Sequence, residues 1–258
     1  MTILPPGTIL QLMHLRERLK LVPAGRFYEI GPGAGDITSL LISMGWQGVC
    51  FDLNADTIGK LEQRFKEQVD SGVLSFKNED FLDANTNLQS DVDLVISCMV
   101  MEHMNDDDQQ VFLNRSFEAL NDDGLLVGLV PSSPNHWGIE DDIAGHYRRY
   151  TRESLNRLFS SSSINLDYIT GLTFPVSNVL LPVSNFLVNR AEANKKSLSM
   201  KEKTKLSGNR AVLFKTSFPF LAGLLLNRVV MTPFHWLQKL FSKSSSSLVL
   251  YFEAKPKA

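Results

Sequence analysis

Glu29-Ile30-Gly31-Pro32-Gly33-Ala34-Gly35-Asp36 carries the clearest chemical signal in this 258-residue chain. Three glycines at alternate positions let the backbone turn tightly and let a ligand approach where a Cβ would clash. An amphipathic run, Ile37 to Met44, follows and reads as a helix whose first N–H groups would face that ligand. A nucleoside-type cofactor suits such a turn, although glycine turns also occur without one. Asp52 stands about 20 residues on, where a carboxylate can accept both hydroxyls of a ribose. Leu53 beside it is counted with the same site. In Asn78-Glu79-Asp80-Phe81, Asp80 can accept from an adenine amino group while Phe81 packs on the ring. Cys98 and Met99 offer small and thioether side chains suited to a sulfonium ligand and an apolar methyl-transfer pocket. Val100-Met101-Glu102-His103 follows, with His103 a candidate base.

These residues need elements to hold them. Apolar spacing predicts a lead-in helix over Thr8–Lys20, packing on the sheet. Strands are expected at Arg26–Ile30, Gly48–Asp52, Val73–Lys77, Asp93–Cys98 and Leu125–Val130. Helices are expected at Ile37–Met44, Asp56–Val69 and Gln109–Leu120, with a turn at Asn121–Gly124. The alternation implies βαβ units and a parallel sheet. Pro131 to Tyr150 reads as a polar, aromatic loop. A helix at Thr151–Ser160, capped by Thr151, and strands at Ile164–Thr170 and Leu248–Ala254 complete the pattern.

In this order, the residues resemble the class I S-adenosylmethionine-dependent methyltransferases. Glu29–Gly35 matches the family's glycine motif, Asp52 its ribose acid and Asp80 its adenine contact. Glu102-His103 matches the signature after strand four. The resemblance covers residues 20 to 170, and the last strand fits too. It implies a Rossmann-like, doubly wound α/β fold. Its seven-stranded sheet is mostly parallel, with an antiparallel last strand and a helical insertion before it. It also implies S-adenosylmethionine as cofactor and S-adenosylhomocysteine as product. The cofactor-binding residues would be Glu29, Gly31, Gly33, Gly35, Asp52, Leu53, Asp80, Phe81, Cys98 and Met99. His103 would lie near the sulfonium. An NAD-type oxidoreductase is the competing reading. Pyrophosphate binding favours a third glycine one place later, and Asp36 at the helix start would repel a pyrophosphate. A non-catalytic cofactor-binding or adaptor protein is the second alternative.

The acceptor side is less legible. His136, His146, Tyr147, Arg149 and Tyr150 lie in the Pro131–Tyr150 loop. His146 is the second candidate base for a hydroxyl acceptor, because deprotonation is best served by a group titrating near 7. His136, Tyr147, Arg149 and Tyr150 are candidate substrate contacts. They are alternatively a loop-anchoring cluster in which Arg149 pairs with Asp141 or Asp142. That loop resembles those of family members acting on small molecules, glycans or lipid precursors.

Composition sets outer bounds. The formal net charge is −2 and the apolar fraction 43%, enough for a real core. Cys50 and Cys98 fall in apolar runs, so no disulfide framework is expected, and a reducing cytoplasm is the default. No signal peptide, spanning helix or zinc-ligand spacing is read, so no metal is expected. Nucleic-acid binding is not expected. Residues 172–242 form the insertion, with residues 1–171 and 243–258 as the methyltransferase domain. The insertion has apolar flanks, and between Arg190 and Lys215 eight cations face two carboxylates, a net +6. It is either a lid with a solvated lysine face or a contact with an anionic membrane, which would suit a lipid-linked acceptor.

Overall fold

A computed structural model describes residues 3–192 and 218–257. The lysine-rich middle of the insertion falls outside the described residues from 193 to 217.

The elements begin with α1 (Pro6–Leu19), β1 (Arg26–Ile30), α2 (Asp36–Ser43), β2 (Gln47–Phe51), α3 (Ala55–Arg64), α4 (Lys66–Asp70) and β3 (Leu74–Lys77). They continue with β4 (Val92–Cys98), α5 (Asp106–Ala119), β5 (Leu120–Pro131), α6 (Ile139–Ala144), α7 (Arg152–Ser160) and β6 (Ile164–Leu172). The helices α8 (Val176–Glu192) and α9 (Arg228–Leu240) precede β7 (Val249–Pro256). Seven strands form one sheet in the order β3-β2-β1-β4-β5-β7-β6, with β7 antiparallel. The β1–β2, β1–β4, β2–β3 and β4–β5 pairs are all parallel. The strand order reverses direction between β1 and β4, the switch point outside which α/β sheets hold ligands.

The differences from the sequence expectations have local causes. The Asp56–Val69 helix divides at Phe65, a buried ring that sits 6.0 Å from Phe76 and closes α3. The helix α5 begins at Asp106 because the Asn105 side chain accepts from Asp108 N at 2.8 Å. Asn121–Gly124 does turn, but as an irregularity within β5. Val92 pairs with Leu120, and Leu94 next pairs with Leu125. Asn121 stabilises it by donating to the Asp93 carboxylate at 2.9 Å. The Pro131–Tyr150 stretch is a loop with α6 inside it.

The chain divides into two compact units. One comprises Pro23–Val130, Arg152–Ile169 and Tyr251–Ala258, and holds most of the sheet. Its core contains an aromatic stack: Tyr28, Phe51, Phe81 and Phe112 follow one another at centroid distances of 5.2, 5.6 and 5.8 Å. The other comprises Met1–Val22, Pro131–Thr151 and Thr170–Leu250. Here α1, expected on the sheet, buries Ile9 and Leu10 against Met231 of α9. Val176 of α8 joins the same cluster. Both cysteines are free thiols.

Candidate functional site

The glycine turn follows directly from the end of β1. Gly31, Gly33 and Gly35 have φ of +68°, +55° and +80°, the left-handed region that disfavours a Cβ. A Cβ on Gly31 would lie 2.7 Å from Val100, and one on Gly35 2.7 Å from Leu61 and 2.8 Å from Phe65. The glycines are therefore required by backbone conformation and close packing together. Gly31 N donates to Phe51 O at 2.9 Å, tying the turn to the end of β2.

Glu29 lies beneath this turn and is buried. Its Oε2 accepts from Thr38 Oγ1 at 2.6 Å and from the Cys50 thiol at 3.6 Å. Burial pushes its carboxyl up to about 7, and nearby Asp36 adds to the rise against the hydrogen bonds from Thr38 and Cys50. Asp36 opens α2 and faces Arg64 at 3.6 Å. The same guanidinium donates to Ala34 O inside the turn. Arg64, Thr38 and Cys50 are support that sequence reading missed. None has a local signal, because each reaches the turn from another element.

Asp52 stands at the end of β2, raised by burial although its Oδ1 accepts from Asn54 N at 2.8 Å. Asn54 caps α3 through Asp56 N, and Asn78 Nδ2 donates to Asp52 O at 2.9 Å. Leu53, exposed beside it, is a large apolar side chain open to a ligand. Asp80 is exposed, and its Oδ1 accepts from Leu82 N at 2.9 Å. Phe81 is buried in the aromatic stack. Arg115 donates to Phe81 O at 2.5 Å and to Thr86 O at 2.7 Å, so this residue anchors the Asp80 turn from inside.

At the end of β4, burial and the neighbouring Glu102 raise the Cys98 thiol above its ordinary range. Met99 then adopts φ +56°, a strained value for a side chain with a Cβ, with its N–H held by Leu129 O at 2.8 Å. That kink starts the 3₁₀ turn Met101–His103, which buries Met101 and Glu102 and leaves His103 half-buried. Glu29, the three glycines, Asp52, Leu53, Asp80, Phe81, Cys98, Met99 and His103 all belong to the sheet unit.

The acceptor candidates belong to the other unit, and Asp141 organises them. Its buried carboxylate accepts from Gly138 N at 2.8 Å, His146 Nδ1 at 2.8 Å and Arg149 Nε at 2.9 Å. Burial raises the Asp141 carboxyl, but these three bonds outweigh it and hold it below its ordinary range. Arg149 also donates to Ser132 O at 3.1 Å. Of the two acids open to Arg149, Asp141 is the one taken; Asp142 accepts from Trp137 Nε1 at 2.9 Å. Tyr150 is buried, its backbone bridging Pro131 and Ser133. His136 Nδ1 meets Ser133 Oγ at 2.7 Å, while Tyr147 is exposed.

Residues 8–167 match the model of a family described as a methyltransferase domain. The chain belongs to this family. Its glycine turn is thus that of a class I S-adenosylmethionine-dependent methyltransferase domain, and the dinucleotide reading falls away. Solved methyltransferases share the fold. A putative sarcosine dimethylglycine methyltransferase from Galdieria sulphuraria superposes with a TM-score of 0.58 at 10% identity, over 96% of this chain and 84% of that one. A TehB-like S-adenosylmethionine-dependent methyltransferase from Corynebacterium glutamicum gives 0.51 at 15%, over 96% and 87%. Magnesium protoporphyrin IX methyltransferase from Synechocystis, with bound S-adenosylhomocysteine, gives 0.53 at 14%, over 65% and 77%. Ribosomal RNA small subunit methyltransferase A of Campylobacter fetus is 37% identical over 59 residues, 23% of this chain. The chain spans about a fifth (22%) of that curated relative.

The residues of this methyltransferase domain fit the cofactor. Three left-handed glycines give the turn a tight backbone without side chains, the kind of surface that a nucleoside cofactor can approach closely. Glu29 at the end of β1 and Asp52 just after β2 add a buried and a half-buried carboxylate, groups whose chemistry fits an ammonium and a ribose.

Proposed function

We propose that this protein transfers a methyl group from S-adenosylmethionine to a hydroxyl of a small-molecule or lipid-linked acceptor, with His146 as the proton acceptor. The Asp141–His146 pair carries the reading. With Nδ1–H donated to an ionised carboxylate at 2.8 Å, the imidazole is held in one tautomer and Nε2 is its basic nitrogen. A buried acid, itself fixed by Arg149 and Gly138 N–H, orients the ring as a base requires.

When bound, the cofactor would supply an activated sulfonium methyl: the acceptor oxygen would bond to that carbon as its bond to sulfur breaks, with S-adenosylhomocysteine as the leaving group. The chain's own contribution is positioning, exclusion of water and proton removal. Glu29 and the N–H groups of the glycine turn receive the amino-acid end. Asp52 receives the ribose diol, with Leu53 beside it, and Asp80 the adenine amino group. Cys98 and Met99 provide an apolar surround. His146 Nε2 takes the acceptor's hydroxyl proton, while Asp141 stabilises the imidazolium. His103 is the second candidate for that proton. Tyr147, exposed on the loop, and His136 contact the acceptor. Arg149 and Tyr150 hold the loop in shape.

The test is an acceptor screen with labelled S-adenosylmethionine, including membrane lipid extracts, run beside calorimetry with S-adenosylhomocysteine. Labelled product in the lipid or small-molecule fraction, lost in His146→Ala, supports the reading. Product retained in His146→Ala but lost in His103→Ala transfers the base role to His103. Binding with no product from any acceptor supports a non-catalytic cofactor-binding role.

A further inference from the structure

The helices α8 and α9 bury polar side chains beside Val188 and Met231 while leaving several large apolar ones exposed. In α9 the buried positions include His235 and Gln238, spaced one turn apart. Gln238 is fully engaged: its Oε1 accepts from Thr173 N at 2.9 Å, and its Nε2 donates to Leu10 O at 3.1 Å and meets His235 Nδ1 at 2.7 Å. His235 Nε2 reaches Glu17 at 2.9 Å. The same helix exposes Val229 (82%), Trp236 (62%) and Leu240 (81%). These recur at i, i+7 and i+11, one continuous stripe.

α8 repeats the inversion. Asn178 donates to Ser246 O at 2.8 Å and Ser184 to the Glu140 carboxylate at 2.7 Å, so these two polar side chains face the protein. Val179, Val183 and Phe186, at i, i+4 and i+7, are exposed. A helix on an ordinary water-facing surface shows the opposite order. Aromatic and aliphatic stripes on two helices exceed the scattered apolar residues that any surface carries.

We infer that the outward faces of α8 and α9 seat this protein on an anionic lipid bilayer at the headgroup–acyl boundary. Charge selects this occupant. Arg190 ends the α8 stripe and Arg228 opens α9, both exposed. The chain from Arg190 to Lys215 carries eight cations against two carboxylates. Apolar stripes next to a net-positive stretch are what an anionic interface attracts, with each cation near the surface adding to binding. A second copy fits less well. An isologous interface through these helices would have to accommodate the exposed Arg190 and Arg228 of both chains. No described helix is long and apolar enough to cross a membrane, so the contact lies along the surface. The inference does not rest on the transfer reaction.

The experiment is flotation of the full chain with phosphatidylcholine vesicles, with and without phosphatidylglycerol. It needs no cofactor, so calorimetry with S-adenosylhomocysteine on the same sample separates its failure from failure of the methyltransferase reading. Binding is expected on the anionic vesicles, falling at high salt. Replacing both exposed rings, Phe186→Ser with Trp236→Ser, is expected to weaken it about tenfold or more. Because both side chains face outward, the melting temperature should stay put. In parallel, emission from Trp236 should shift to the blue on binding, a change lost in Trp236→Phe. Absence of binding to anionic vesicles at low salt overturns the inference, as does undiminished binding by the double variant. A dimer in solution that the double variant dissociates also overturns it, in favour of a second copy.

Discussion

The sheet unit and the helical unit treat exposed apolar side chains in opposite ways. Among the described residues, the sheet unit, which carries the proposed cofactor residues, exposes few large hydrophobic side chains: Leu53, Val111 and Phe117. Leu53 follows Asp52, the proposed ribose acid. In the helical unit, twelve large hydrophobic residues between Val179 and Phe241 are exposed, while His235, Gln238, Asn178 and Ser184 turn inward. One unit completes its core by itself and presents a small polar site. The other turns several polar side chains inward and leaves apolar ones exposed on α8 and α9.

Four measurements can break or sharpen this contrast between donor and acceptor halves. The largest effect is expected from the acceptor side. His146→Ala should lower kcat about 10³-fold while leaving S-adenosylhomocysteine affinity unchanged. Asp141→Asn should follow in the same direction and alter the pH–rate profile. A matching loss of cofactor affinity in either variant would show that the halves are not separable. Next, Gly31→Val should weaken S-adenosylhomocysteine binding about 100-fold in calorimetry. It places a Cβ at φ +68° and 2.7 Å from Val100, and should cost ~1–2 kcal/mol of stability in the sheet unit. Asp52→Ala removes charge-assisted bonds to two hydroxyls and should cost about thirtyfold in the same titration. Membrane flotation by these two variants should remain that of the parent chain.

The smallest effect concerns pH. Without ligand, the Glu29 carboxyl titrates at about 7, raised from 4.5. An ammonium ligand favours the ionised form. Affinity for S-adenosylhomocysteine should therefore rise about tenfold from pH 6 to pH 8, and Glu29→Gln should flatten that rise. The sign for stability is the reverse. A carboxyl raised on folding makes the ligand-free protein less stable as pH climbs from about 4.5 towards 7. Thermal melts of the parent and of Glu29→Gln across that range will register it. A pH-independent affinity would remove Glu29 from the ammonium site.

Much of the donor half is legible in the amino-acid sequence, because its signals are local. Alternate glycines, a strand-end acid and apolar runs of strand length each report on neighbours within a few residues. Where element boundaries differ from the expected ones, a single side chain sets them: Phe65 divides one helix, Asn105 starts another early, and Asn121 draws its turn into β5. The family match over residues 8–167 takes in this stretch together with most of α1 and the Pro131–Thr151 loop. The acceptor half is legible only in outline. Its central contacts join Asp141 to His146 and Arg149, and periodicity carries no trace of which acid an arginine selects. Nor does it show that α1, whose apolar spacing suits packing on a sheet, finds its partner in α9 across more than 200 residues.

Sequence by itself determined the alternation of strands and helices, the glycine turn with its carboxylates, and the net charge of the insertion. Those follow from backbone sterics and local patterning. Tertiary structure alone decided that Glu29 is buried with Thr38 and Cys50, that Asp141 is the acid under His146, and which faces of α8 and α9 point outward. Burial and hydrogen-bond partnership belong to packing between distant segments, and a helix's apolar stripe reads the same whether it covers a core or awaits a membrane.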